Sequence, residues 1–195
     1  MRYAELERNT RETQIKMSLA LDNDGNGILT GGSGLGFFDH MLNSFAVHGG
    51  FSITLEMNGD LKVDGHHSVE DAGIVLGKLF HEILKDKSGI KRFGHCYVPM
   101  DEALGFAAVD ISGRAYLVFD AAFDSEKIGD YDTQLTREFF RALAYNAQMT
   151  LHIRALYGSN DHHKTESIFK SSAKAISEAV TLNGGNGVLS AKGVL

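Results

Sequence analysis

Two stretches decide how this chain is read: Asp64-Gly65-His66-His67-Ser68-Val69-Glu70 and Asn160-Asp161-His162-His163-Lys164-Thr165-Glu166. Both contain His-His-x-x-Glu, and the second lies 96 positions after the first (66 and 162). The repeat extends beyond the motif. Gly73, Gly77, Phe80 and Leu84 follow the first copy, and Phe169, Ala173, Ile176 and Val180 follow the second at the same 96-residue offset. Steps of 4, 3 and 4 keep those residues on one face of a helix. A short motif recurring together with the register of the helix after it points to internal duplication.

The elements before each motif match in kind. Phe51 to Glu56 and Met149 to Arg154 alternate like half-buried strands, and each follows a helical stretch, Phe37 to Phe45 and Leu135 to Ala147. Further strands are expected at Gln14 to Leu21, Ala103 to Ile111 and Ala115 to Phe123. Each half therefore reads approximately strand, strand, helix, strand, helix. This predicts an internally duplicated α+β fold, with two similar halves over 1–93 and 94–195, each a small sheet with helices packed on one face. The two halves are expected to form one compact unit. Gly31-Gly32-Ser33-Gly34-Leu35-Gly36 fits neither a P-loop nor a dinucleotide fingerprint and reads as a flexible turn.

Composition narrows the function. With 43% apolar residues in 195, the chain can bury a real core, and its 22 glycines show no collagen-like period. The single cysteine, Cys96, cannot form an internal disulfide and reads as a small core residue. The N-terminus is charged where a secretory signal would be apolar, and no run approaches the ~18 apolar residues of a membrane span, so a cytoplasmic protein is expected. A net charge of -6 without a basic run argues against nucleic acid as a partner. The unusual feature is nine histidines, with two adjacent pairs.

On a helix, residues i and i+4 sit one above the other, so His66 with Glu70, and His162 with Glu166, can each pinch one ion. His67 and His163 are turned about 100° away. If the halves face each other about a pseudo-twofold axis, each of these can reach the ion pinched by the other half. Imidazoles with one carboxylate suit manganese, iron, cobalt or zinc. The competing reading is that the doublets are solvent-facing residues at helix starts. His40 and Glu138 precede the doublets by similar distances, open short helices beside paired phenylalanines, and are candidate fourth ligands.

Gly36-Phe37-Phe38-Asp39-His40-Met41-Leu42, Asp64-Gly65-His66-His67, Pro99-Met100-Asp101-Glu102-Ala103-Leu104, Asp110-Ile111-Ser112-Gly113-Arg114, Thr150-Leu151-His152-Ile153 and Asn160-Asp161-His162-His163 together resemble the imidazoleglycerol-phosphate dehydratase family. The match runs in order from about Arg8 to Leu195. The resemblance implies two manganese ions per active site. One would be held by His40, His67, His162 and Glu166, the other by His66, Glu70, His163 and the residue at 138. Many family members carry histidine where this chain has Glu138.

The implied reaction is loss of water from imidazole glycerol phosphate, through a metal-stabilised imidazolate and a diazafulvene-like intermediate, giving imidazole acetol phosphate in histidine biosynthesis. Glu12 matches the family's general acid/base. The substrate would also meet His40, His48, His66 and His162, with His152 near the pocket. Arg92, Arg114, Lys170, Ser190 and Lys192 would serve its phosphate. The family more often shows Pro-Ser-Ser-Lys at the C-terminal segment, so Leu189 and Ala191 are departures. A large homo-oligomer of 24 subunits, with sites completed between subunits, is also implied. The main rival from the residues alone is a dinuclear metallohydrolase acting on a phosphoester. A ferritin-like store is disfavoured by the many strands and glycines.

Overall fold

The computed structural model describes residues 2–22, 26–193 and 195. The first half runs β1 (Tyr3–Asn9), β2 (Thr13–Ala20), β3 (Ile28–Gly32), α1 (Gly36–Gly49), β4 (Ser52–Gly59) and α2 (His66–Leu84). The second runs β5 (Phe93–Met100), β6 (Ala103–Asp110), β7 (Tyr116–Asp120), a small hairpin of β8 (Lys127–Ile128) and β9 (Tyr131–Asp132), α3 (Leu135–Ala147), β10 (Thr150–Tyr157) and α4 (Asp161–Val180).

The two sheets have the same strand order, β1-β2-β4-β3 and β5-β6-β10-β7. In each, the second strand is antiparallel to both neighbours and the last pair, β3 with β4 or β7 with β10, is parallel. A parallel pair needs a crossover, and α1 and α3 supply it. Corresponding details lie 98 positions apart. The N–H of Phe51 donates to the Ala46 carbonyl and that of Met149 to the Ala144 carbonyl. Gly50 and Gln148 both close their helices in the left-handed region, at φ 69° and 53°.

In each half, three strands of the four-stranded sheet precede the first helix, one more than the sequence patterns suggest. The inner strands β2, β4, β6 and β10 were all legible, whereas the edges β1, β3 and β5 were not. An edge strand carries charge and turn residues where an inner one must alternate cleanly. β1 has Glu5 and Glu7, and β5 holds the only proline, Pro99. The glycine-rich stretch also takes a defined course. Gly31 and Gly32 end β3, and buried Ser33 donates its N–H and hydroxyl to Asp39 Oδ1 at 2.6 and 2.7 Å. Cys96 is half-buried on β5, where burial pushes its thiol up.

Burial explains how the layers stack. Thr13, Ile15, Met17 and Leu19 of β2 point inward while Gln14 and Lys16 face solvent. α2 lies on β1, β2 and β4, and α4 on β5, β6 and β10. The helices then pair across the halves, α1 with α4 and α2 with α3. Phe38, Phe139, Phe140 and Phe169 form one buried aromatic cluster there, with ring centroids 4.8 to 5.4 Å apart. A single apolar core thus runs through both halves.

α2 and α3 approach each other closely. A Cβ added at Gly77 would lie 2.6 Å from the Leu143 carbonyl oxygen and 2.8 Å from Asn146 Cβ. Alanine gains about 1 kcal/mol over glycine in helix propensity, but overpacking against rigid backbone costs about 1–3 kcal/mol. Packing should win. Gly77→Ala is expected to lower stability by about 1–2 kcal/mol in chemical denaturation at fixed protein concentration. Gly36→Ala, where nothing lies within 4 Å, should be neutral or stabilising.

Candidate metal centre

Both doublets sit at helix starts because the residue two positions before each supplies an acceptor. Asp64 Oδ1 accepts the His66 N–H at 2.8 Å, and Asn160 Oδ1 accepts those of His162 and His163 at 2.9 and 3.3 Å. The first turn then sets the i, i+4 pairs. His66 Nε2 is 3.5 Å from Glu70 Oε2, and His162 Nε2 is 3.3 Å from Glu166 Oε2.

Packing of α1 on α4 adds His40, whose Nε2 is 3.6 Å from the same Glu166 oxygen. His40, His162 and Glu166 form the one group of three potential ligands among the described residues whose donor atoms all lie within 4.8 Å of one another. Two imidazoles and a carboxylate are a donor set suited to a divalent transition metal. The other oxygen of Glu166 accepts from Lys170 at 2.7 Å. Burial raises the Glu166 carboxyl, but Lys170, His40 and His162 outweigh it and leave it below its ordinary value.

Packing of α3 on α2 produces the pseudo-symmetric group, with different contacts. Glu138, the counterpart of His40, forms no compact donor group with His66 and Glu70. Its Oε2 accepts from Arg141 Nε at 2.9 Å, while Arg141 Nη2 reaches Glu70 Oε1 at 3.2 Å. A guanidinium therefore stands between the two carboxylates.

His67 and His163 do not join either group within the chain. His67 Nδ1 lies 3.0 Å from Asp60 Oδ2 and His163 Nδ1 lies 2.7 Å from Glu102 Oε2. A carboxylate on Nδ1 fixes the ring and leaves Nε2 to act elsewhere. Glu12, half-exposed in the β1–β2 turn, has its carboxylate 3.7 Å from His67 Nε2. That turn is held to α2 by buried Asp71, which accepts from Arg8 and from the Thr13 hydroxyl.

The remaining residues fall in separate places. Arg92 is paired to Asp110 at 2.7 and 3.1 Å and also donates to the Leu189 carbonyl, while Arg114 is exposed, 3.8 Å from Asp110. These contacts bring Arg92, Arg114 and the start of the Ser190–Lys192 segment to one end of β6. Lys170 instead belongs to the His40–His162–Glu166 group. His48 is half-buried at the end of α1, and burial, then Lys170 and Lys174, lowers its pKa. His152 lies on the solvent face of β10, away from the helices. A cleft of about 520 Å³ reaches Asp64 and His66 but is lined by none of His40, His162 and Glu166.

Sequence reasoning missed Asp60, Glu102 and Arg141 as parts of these groups. Only Arg141 carried a local signal, its i, i+3 spacing from Glu138.

Fold and site define a class: a duplicated α+β chain that gathers histidines and carboxylates where helices of its two halves meet. Residues 33–176 match the family model of imidazoleglycerol-phosphate dehydratase. The chain is 56% identical over 197 aligned residues to the imidazoleglycerol-phosphate dehydratase of Streptococcus thermophilus and 54% over 196 to that of Bacillus cereus, with both chains covered in full. The crystal structure of the Staphylococcus aureus dehydratase superposes with a TM-score of 0.84 at 41% identity, covering 93% of this chain and 99% of that one. That of the Pyrococcus furiosus protein gives 0.81 at 34%, covering 97% and 100%. The chain belongs to the imidazoleglycerol-phosphate dehydratase family.

The carboxylate partners set a pH order among the histidines. The hydrogen bond to Glu102 raises His163 above its ordinary 6.5, and the bond to Asp60 does the same for His67. The His163 and Asn160 contacts hold Glu102 at about 2. A raised histidine contributes fully below 6.5 and loses its contribution as pH rises through the folded value. A depressed carboxylate contributes above 4.5 and loses it as pH falls toward about 2. The His163–Glu102 pair should therefore be strongest between those limits. In an NMR titration of metal-free protein, His67 and His163 should titrate above 6.5 and His48 below it. Glu102→Gln should return His163 toward 6.5, and a His163 that titrates below that value in the unaltered protein would contradict this account.

Proposed function

We propose that this chain removes water from imidazole glycerol phosphate at a manganese site built on His40, His162 and Glu166. The chain is a dehydratase, a hydro-lyase of histidine biosynthesis, in keeping with its full-length relatives. The observation that carries the site is the convergence of those three side chains from α1 and α4. Residues 1–93 and 94–195 are taken as the two copies of the duplicated unit, supported by their matching sheet orders.

The reading takes two ions per active site, one on His40, His67, His162 and Glu166 and the other on His66, Glu70, Glu138 and His163. His67 and His163 would serve these sites from a neighbouring copy, since each has its Nδ1 tied to a carboxylate and lies outside the triad of its own chain. This reading extends to a large cytoplasmic homo-oligomer, with 24 subunits as the expected size. No helix among the described residues is long and apolar enough to cross a membrane. Manganese, when bound, supplies positive charge that favours the anionic form of the substrate's imidazole.

The protein's residues handle the proton and the phosphate. Glu12, as general acid/base, takes the proton from the carbon beside the departing hydroxyl and returns it to that hydroxyl, which leaves as water, and the resulting enol rearranges to the ketone. The 3.7 Å separation of the Glu12 carboxylate from His67 Nε2 supports a role beside the proposed metal ligands. His48, close enough to Lys170 to feel its charge, would border the substrate. Arg114, with its exposed guanidinium, would meet the phosphate together with Ser190 and Lys192, joined by Lys170 from a neighbouring copy. Arg92, already bound to Asp110 and Leu189, would hold the C-terminal segment in place beside it.

Turnover of imidazole glycerol phosphate should require added manganese after chelation. Glu12→Gln keeps shape and hydrogen bonding but removes the base, so kcat should fall by about 10²–10⁴ while manganese content is unchanged. Near-normal kcat in that variant would remove Glu12 from the mechanism. Metal that bridges chains should also hold the assembly together. Chelation is expected to shift the protein to smaller species in sedimentation velocity, and an intact assembly with full metal loss would show that the ions do not cross-link subunits.

A further inference from the structure

The two groups of ligands follow one pseudo-symmetric plan, but their counter-ions do not. Lys170 on α4 neutralises Glu166, and its counterpart on α2, 96 positions earlier, is Ile74. Arg141 on α3 neutralises Glu138 and Glu70, and its counterpart on α1, 98 positions earlier, is Asn43. Each group therefore has its own cation, in a different place.

The placement has opposite consequences. Lys170 takes Oε1 of Glu166 and leaves Oε2 facing both His40 and His162. The three donors are already gathered, and the ammonium stands behind them. At the other group, Glu70 likewise turns Oε2 to His66 and Oε1 to the cation. Glu138, however, gives its Oε2 to the arginine, so the α3 donor is directed at the guanidinium and no compact triad forms. Two carboxylates brought together by helix packing repel each other, and a planar guanidinium that can touch both at once relieves this.

Resting on the reading of these groups as manganese sites, we propose that Arg141 is a positioning residue that acts as a built-in competitor for the second ion. It holds Glu70 and Glu138 as ion pairs and must give them up for metal to bind. The two sites then load in order, the His40–His162–Glu166 site first and the His66–Glu70–Glu138 site second. The carboxylate at 138 and the arginine at 141 act as a pair: the extra negative charge of Glu138 would strengthen the second site, and Arg141 offsets it.

Titration of chelated wild-type protein with manganese chloride, followed by calorimetry and by electron paramagnetic resonance of the free ion, should resolve two steps. Arg141→Gln should tighten the second step by about tenfold, as expected for removal of one screened, half-exposed charge between the carboxylates, and leave the first within about twofold. Arg141→Lys keeps the charge on a group that cannot span both carboxylates, and should tighten the second step by about threefold. A merely structural role for Arg141 would weaken binding or move both steps together. Sedimentation velocity on each variant checks the assembly, and Arg141→Lys carries the test if Arg141→Gln does not assemble. An equal or weaker second step in a folded variant overturns the proposal while leaving the metal sites standing. Absence of manganese uptake by the wild type overturns both.

Discussion

Helices with one apolar face must bury it, and here each half buries the faces of its helices partly against the other half. α2 approaches α3 so closely that Gly77 faces the Leu143 carbonyl with no room for a methyl group, and α1 lies along α4. This cross-half packing closes a single core between the two sheets. It also decides which polar residues meet at the helix ends. His40 reaches Glu166, and Glu138 comes to the vicinity of Glu70, because those helices pair and not because the residues attract one another. A well-packed interface of this kind is stiff, so the donors it carries are held in place before any ligand arrives.

Around this frame, charge is distributed so that each functional side chain has a defined direction. Asp60 and Glu102 hold the second histidine of each doublet by its Nδ1. Asp71 fastens the β1–β2 turn, and with it Glu12, to the helix that begins at the first doublet. Lys170 and Arg141 balance the carboxylates of the two groups from positions that the duplication does not relate. The backbone therefore preserves the pseudo-symmetry far better than the electrostatics do. Two sites with the same scaffold and similar donors can bind ions unequally when their counter-ions stand behind the donors in one case and between them in the other.

Much of the architecture was legible in the chain itself, and the division follows from burial. Inner strands such as β2 and β10 lie against a helix layer on one face, so their residues alternate and the period shows. α3 was bounded at Leu135 and Ala147 because its buried face repeats at helical spacing. The edge strands β1, β3 and β5 escaped because an edge tolerates charge, glycine and proline, which blur the same pattern. The glycine-rich stretch looked like a free turn because nothing local shows that Asp39 accepts the Ser33 N–H and hydroxyl.

By itself the sequence determined that the chain is duplicated, that the doublets begin amphipathic helices, and that His66 with Glu70 and His162 with Glu166 form matched pairs. All of these depend on spacing along one helix, which the chain carries in its residue order. The tertiary structure alone decided that α1 meets α4 and α2 meets α3, that His40 completes the first triad, and that Arg141 intervenes at the second group. Those outcomes depend on how helices of different halves pack, and contacts between residues 71 and 126 positions apart leave no periodicity for a sequence to show.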